Sequence, residues 1–264
     1  MLVFPQLMSG AVAQLPFRRD ETYRTNVNTL ADGSVVRSAD DAARSKTWEL
    51  ELRDLSDTEA GALLTLFDSA EGRLTPFTFL DPADNLLAWS EDFDRSCWLR
   101  GAIIQLQPGV ADPLGGTAAT RLTNAGQSAQ GLSQRLEVPG GFQFCFSIYA
   151  RAASLCAVTM WMLAGQARLV TAYEANSNWQ RISVSGIAGT GEEVTFGLDV
   201  GAGSALEIFG AQVDAHPGSS LYRKTLSRGG VYPNTKFATD EIAVQAQGPN
   251  RNAAIIRMAS PAGA

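Results

Sequence analysis

The 264-residue chain carries 45% hydrophobic and 18% charged residues, a balance that supports a buried core and excludes an intrinsically disordered chain. Its net charge of -6, from 21 basic and 27 acidic residues, is spread without a Lys/Arg run, so nucleic acid is not an expected partner. The length fits either two modest domains or one large β domain.

The opening MLVFPQLMSGAVAQLPFRRD is apolar but broken by Pro5, Gly10 and Pro16. It lacks the basic start and continuous apolar run of a secretory signal, and an extended arm is expected instead. No stretch approaches the ~18 apolar residues of a membrane span, so no membrane insertion is expected. WELELRDL (48–55) places apolar residues at Trp48, Leu50, Leu52 and, after one slip, Leu55, the pattern of a half-buried strand. SDTE (56–59) is a capping box, in which Ser56 bonds forward to the amide of Glu59 while the Glu59 side chain reaches back. Ala60, Leu63, Leu64 and Phe67 then form one apolar helical stripe, which Gly72 ends.

No second helix is expected. TPFTFL, AIIQLQ, QFCFSIYARA, AVTMWML, ARLVTAYE, WQRISVSG, EVTFGLDV, ALEIFGAQV, IAVQAQ and AAIIRMA read as short strands between Gly, Pro, Asn and Asp turns. Their spacing is that of a sandwich or jelly roll, and the chain is expected to be mainly β. Composition shifts twice. Residues 1–87 hold the helix and are the most densely charged, 88–224 are rich in Gly, Ala, Ser and Thr and hold four of the five tryptophans, and 225–264 change character again. A tail of about 40 residues buries too little surface to fold alone, and it is expected to return to the N-terminal domain.

FPQLMSGAVAQLPFRR, RTNVNTLADGS, WELELRDLSDTEAGALLTLFDSAEGR and FTFLDPADNL, in that order, with GGVYPNTKFATDEIAV near the end, resemble distal tail proteins and related minor tail proteins of long-tailed bacteriophages. Gene transfer agents and tailocins share such parts. Between them, NLLAWSEDFDRSCW, ADPLGGTAATRL, FSIYARA, NWQRISVSG and IFGAQVDAHPGSSLYRKT resemble the carbohydrate-binding-like jelly-roll modules that many phage tail proteins carry. The resemblance implies a belt-like β domain with one helix plus an inserted jelly-roll β-sandwich. It implies a homo-oligomeric, six-fold ring between tail tube and tail hub, in a virion tail assembled in the cytoplasm of the bacterial host. The inserted module would meet host-surface glycan.

Chemistry-bearing residues are few. His216 is the sole histidine and no G-x-S-x-G elbow accompanies it, so a serine-hydrolase triad is disfavoured and no catalytic residue is assigned. Glu91 and Asp92, with Asp94 nearby and Asp81 and Asp84 upstream, read as a solvated acidic loop, with a structural Ca²⁺ site at Glu91 and Asp92 as one alternative. A polysaccharide-cleaving pair is another, and a monomeric carbohydrate-binding protein is the third reading of the whole chain. Trp89, Trp98, Trp161, Tyr173 and Trp179 are the candidates for stacking on a pyranose, against the reading that most are core. Cys97, Cys145 and Cys156 are odd in number and not closely paired, as expected of free thiols in a reducing compartment. GTGEEVTFG and GVADPLGG lack the Lys-Ser/Thr of a phosphate loop and read as turns, so no other cofactor is expected.

Overall fold

The structure is a computed structural model that describes residues 1–261. In chain order its elements are β1 (Phe17–Thr29), β2 (Val35–Leu55), α1 (Asp57–Ser69), β3 (Phe77–Leu80), β4 (Trp98–Arg100), β5 (Ile104–Val110), β6 (Ala119–Asn124), β7 (Gln130–Leu136), β8 (Gln143–Arg151), β9 (Cys156–Ala164), β10 (Ala167–Ala175), β11 (Gln180–Ile187), β12 (Val194–Val200), β13 (Ala205–Asp214), β14 (Val231–Phe237), β15 (Val244–Gly248) and β16 (Arg251–Pro261). The protein is mainly β. Two compact units divide it, one built from Met1–Met8, Val12–Phe79 and the chain from Tyr232, the other from Ser9–Ala11 and Leu80–Val231.

The first unit is one sheet in the order β1-β2-β16-β14-β3, with β15 also paired to β16. β16 lies antiparallel to β2, Ile256 opposite Leu50 and Met258 opposite Trp48, so the C-terminal strand completes the sheet begun by the N-terminal ones. The core is aromatic. Trp48 packs against Phe79 and Tyr232 with ring centres 5.0 and 4.9 Å away, and Phe237 bridges Phe67 and Phe77 at 5.0 and 4.8 Å. Beyond this core β1 and the first half of β2 run on as a hairpin, Arg24 opposite Asp40 and Thr29 opposite Val35, with β1 exposed from Arg18 onward.

Helix α1 begins at the capping box: Ser56 Oγ accepts from the Glu59 amide, and Glu59 Oε2 accepts from the Ser56 amide at 2.8 Å. Its buried residues are Ala60, Leu63 and Leu66, whereas Leu64 is 39% exposed. The expected stripe is therefore corrected at one position. Leu66 and Phe67 stand three and four residues beyond Leu63, in line with Ala60, Leu63 and Ala70, while Leu64 is turned about 100° away. The helix ends as Glu71 and Gly72 take φ of 50° and 63°.

The second unit is a two-sheet, jelly-roll-like sandwich. The front sheet has the order β10-β9-β12-β7-β4, the back sheet β11-β8-β13-β6-β5. Alternation along the strands fills the space between them: Val158, Met160 and Met162 of β9, Phe196 and Leu198 of β12, and Phe144, Phe146 and Ile148 of β8 are all buried. Residues 80–87, placed with the first domain by composition, belong to this unit because their polar groups are satisfied inside it. The buried Asn85 donates to Ala211 O at 2.8 Å and accepts from the Val213 amide at 3.0 Å. Asp81 N donates to Gly230 O at 2.9 Å, and Gly230 N donates to Asn85 O at 2.8 Å. Gln134, also buried, exchanges two hydrogen bonds with the backbone of Ala88, both at 2.9 Å.

No helix among the described residues is long and apolar enough to cross a membrane.

Candidate functional site

The outer faces of the two sheets differ. The back sheet is overlaid by its own chain: Arg181 donates to Ser220 O, Ser185 donates to Pro217 O, and the Tyr222 ring packs on Phe209 at 5.3 Å. Asp214, fully buried, anchors this cover by accepting from Ser220 Oγ at 2.5 Å and from Gln212. His216 lies here, its Nε2 3.6 Å from Asp214 and its Nδ1 accepting from the Gly218 amide. Ser220 thus bonds the carboxylate itself, and this trio holds a loop rather than forming a proton relay.

The front sheet's outer face is open. Cross-strand register lines up one row of outward residues: Val170 of β10 opposite Trp161 of β9, Trp161 opposite Gly197 of β12, Gly197 opposite Ser133 of β7, and Ser133 opposite Leu99 of β4. Both ends are apolar and exposed, Val170 at 53% and Leu99 at 59%. Gly197 has a specific reason to be glycine. A Cβ there would stand 2.3 Å from Cζ2 of Trp161, so the indole lies directly across the strand backbone where a side chain would otherwise project.

Arg168 and Asp199 stand on opposite sides of this row. The Arg168 guanidinium passes over the indole, 4.7 Å from its ring centre, and reaches Asp199 at 2.9 Å. Trp161 is thereby held between a glycine backbone and a paired cation, a favourable cation-π geometry. Its Nε1 is buried with no hydrogen-bond partner in the described structure. Beside the indole runs a trough of about 330 Å³, floored by Gly131 and Ser133 and walled by Trp161, Asp199, Gln130 and Leu99. Three strand spacings separate Trp161 from Leu99, about 14 Å. The arrangement offers two apolar walls, a floor without large side chains, and a charged pair able to donate and accept hydrogen bonds.

The other aromatic candidates are dispersed. Trp98 is buried against Phe93 and donates its Nε1 hydrogen to Trp89 O at 3.0 Å. Tyr173 exchanges hydrogen bonds with the backbone of Ser183, tying β10 to β11. Trp179 is half-buried on the back sheet under Arg151, 4.7 Å away, which also pairs with Glu207 at 2.6 Å. Burial alone would raise the Glu207 pKa, but Arg121 and Arg151 together hold it below the ordinary value. Trp89 sits in the 88–95 loop under Arg95 at 4.2 Å.

Glu91 and Asp92 of the acidic loop are both paired. Glu91 accepts from Tyr222 at 2.9 Å and from Lys224 at 2.5 Å, and Asp92 pairs with Arg95 at 2.6 Å. Among the described residues no group of three or more His, Cys, Asp or Glu side chains is arranged to hold a metal ion. Gly131, Ser133, Gly197, Asp199, Arg168 and Leu99 were not singled out from sequence. The signal in the sequence that could have found this face is the alternation of Trp161 with Met160 and Met162, since both methionines are buried and the indole therefore lies on the opposite face of β9.

The fold and this face define a mainly β protein whose second unit is a two-sheet sandwich with one sheet face open. No protein-family model matches the chain, and no curated protein matches it. Among solved structures it is similar to the CBM22-1 xylan-binding domain from Paenibacillus barcinonensis Xyn10C, at 14% identity and a TM-score of 0.44, over 52% of this chain and 97% of that one. It is also similar to TmCBM61, solved in complex with beta-1,4-galactotriose, at 14% identity and TM-score 0.39, over 49% of this chain and 97% of that one. A third is the C-terminal family 22 carbohydrate binding module of Clostridium thermocellum Xyn10B, at 14% identity and TM-score 0.41, over 54% and 99%.

Proposed function

We propose that the second unit is a non-catalytic carbohydrate-binding module that takes a host-surface glycan along the front-sheet trough. The first unit, on this reading, builds a phage or phage-like tail tip, as a ring-forming component between tail tube and hub. The observation that carries the binding reading is Trp161 laid across Gly197 beside a floor of glycine and serine. Such a floor lets a flat sugar chain approach the sheet, Trp161 and Leu99 supply apolar surface for its C–H faces, and Arg168 and Asp199 supply hydrogen bonds to its hydroxyls. The pairing of Glu91 with Lys224 and Tyr222, and of Asp92 with Arg95, supports binding over glycosidic cleavage, because these carboxylates are already engaged.

The tail-tip reading is supported by the ordered motifs of the N-terminal segment and by the exposed β1–β2 hairpin. An isolated two-stranded hairpin is marginal in water, and this one exposes Tyr23, Val27, Leu30, Val35 and Val36, surface suited to assembly.

The test is a screen of the full chain against immobilised bacterial surface polysaccharides and plant β-glycans, followed by calorimetry on the strongest binder with Trp161→Ala and Leu99→Ala. Binding lost in both variants while the melting transition persists is expected. Binding unaffected by either removes the trough from consideration. Electron micrographs of the purified protein test the ring.

A further inference from the structure

Trp161 is covered on both of its faces. A Cβ at Gly197 would stand 2.3 Å from Cζ2 of the indole and 2.6 and 2.8 Å from the ring neighbours Cε2 and Cη2. Distances so nearly equal place the approach above the ring plane, because an approach along the ring edge would leave both neighbours much farther off. The inner face of the indole therefore rests on the β12 backbone. The Arg168 guanidinium, 4.7 Å from the ring centre, takes the outer face, the one on which a sugar would stack.

Strand register explains why Arg168 lies there. Arg168 stands opposite Leu163 and Asp199 opposite Thr159, and Trp161 is midway between these two positions of β9. An ion pair joining β10 to β12 must cross β9 diagonally, and it passes over the indole. Both of its ends meet solvent, the Arg168 side chain at 46% exposure and that of Asp199 at 25%, so the pair has the modest strength of a surface salt bridge and opens readily. Closed, it leaves a group unsatisfied: Trp161 Nε1 is buried with no hydrogen-bond partner among the described residues, whereas a buried indole N–H normally finds one.

We propose that the Arg168–Asp199 pair is a strap that regulates the trough, closed over Trp161 in the free protein and displaced by the sugar that binds; this rests on the trough being the glycan site. Opening bares the outer face of the indole for a pyranose, frees the Nε1 hydrogen to be donated to a sugar hydroxyl, and leaves the guanidinium and the carboxylate to meet hydroxyls farther along the chain. The observed affinity is then the affinity of the open site reduced by the fraction of the protein that is open. Asp199→Asn keeps the size of the side chain and one acceptor oxygen but removes the charge that holds the strap, so it should tighten binding. A carboxylate that served the sugar only as a contact would weaken binding when replaced.

The experiment has two arms. In the first, without ligand, hydrogen exchange of the Trp161 indole N–H is followed by NMR on the ¹⁵N-labelled full chain, its resonance assigned by its loss in Trp161→Phe. Exchange should quicken about five-fold in Asp199→Asn and in Arg168→Met, which keeps an apolar stem and removes the cation. Equal rates in wild type and both variants overturn the strap. In the second, xylohexaose and β-1,4-galactotriose are titrated calorimetrically into wild type and Asp199→Asn. Asp199→Asn should bind about five-fold tighter, and raising NaCl from about 0.05 to about 0.5 M should tighten wild type about two-fold while leaving Asp199→Asn unchanged, because salt screens the strap. Weaker binding by Asp199→Asn overturns the proposal. Absence of binding by both proteins refutes the trough as a site for these sugars, and the exchange arm then decides the strap by itself.

Discussion

Gly197→Ala is the substitution by which the front-sheet site is most sharply judged. The new methyl carbon would stand 2.3 Å from Trp161 Cζ2, 2.6 Å from Cε2 and 2.8 Å from Cη2. Carbon atoms rest at about 3.5 Å or more, so the indole must retreat by about 1.2 Å, lifting it into Arg168 and loosening the Arg168–Asp199 pair. Overpacking of this kind costs about 1–3 kcal/mol, while alanine in a strand interior recovers about 0.5–1 kcal/mol relative to glycine. A net loss of about 1–2 kcal/mol corresponds to a melting point lower by about 2–8 °C in a chain of this size. Glycan affinity should fall about five-fold, about 1 kcal/mol, as the apolar wall moves. In the Trp161→Ala background both effects change: with no indole to displace, Gly197→Ala should raise the melting point slightly and leave the residual affinity within about 0.5 kcal/mol. Differential scanning calorimetry and titration calorimetry on the four proteins complete the cycle. Equal penalties in both backgrounds would refute the reasoning, since Gly197 would then matter through something other than the ring above it.

Ser56→Ala should cost about 1 kcal/mol by chemical denaturation, and Leu63→Asp several times more because it buries an unpaired charge, whereas Leu64→Asp should sit near wild type. Acid should destabilise the protein through Glu207 and Asp112. Their pKa values are lowered, Glu207 by Arg121 and Arg151 against the opposing effect of burial, Asp112 chiefly by the amide of Ala118. Their stabilisation is present above the ordinary values of 4.5 and 3.8 and is lost as pH falls through the lower folded values, so Asp112→Asn should flatten the pH dependence of melting below about 4. Burial, helped by the Asp214 charge, pushes the Cys145 thiol up to about 11, so a thiol reagent at neutral pH should leave Cys145 unmodified until the protein is unfolded. Deleting residues 1–20 should abolish any oligomer, and replacing 80–231 by a short Gly/Ser link should leave it; light-scattering mass measures both, and an oligomer surviving the first deletion would place the assembly surface elsewhere.

What could be read from sequence was what neighbours along the chain decide. The capping box at Ser56 and Glu59 depends on four consecutive residues, and alternation in AVTMWML already separates Trp161 from Met160 and Met162. The β1–β2 hairpin escaped notice because RRDETYRTNVN has no buried face, and a strand exposed on both sides leaves no period-two hydrophobic signal. Leu64 was misplaced because one apolar residue more than the stripe requires makes two helical phases nearly equivalent. The front-sheet site was hidden for a different reason: Leu99, Ser133, Trp161, Gly197 and Asp199 come from four strands, and only pairing register, a long-range property, gathers them. Compositional boundaries at 87 and 224 reflect residue usage, whereas the compact unit is set by where Asn85 and Gly230 satisfy their hydrogen bonds.

The reciprocal hydrogen bonding of the 81–85 and 230 backbones makes the second unit a cassette with its two ends clasped. Removing or exchanging everything between them requires closing a gap no wider than a turn, and closure entropy grows only logarithmically with the length replaced. A sandwich of different size can therefore take its place without disturbing the register of β16 on β2. If the second unit binds glycan as proposed, its specificity changes by substitution of the whole module, while the sheet of the first unit keeps its sequence.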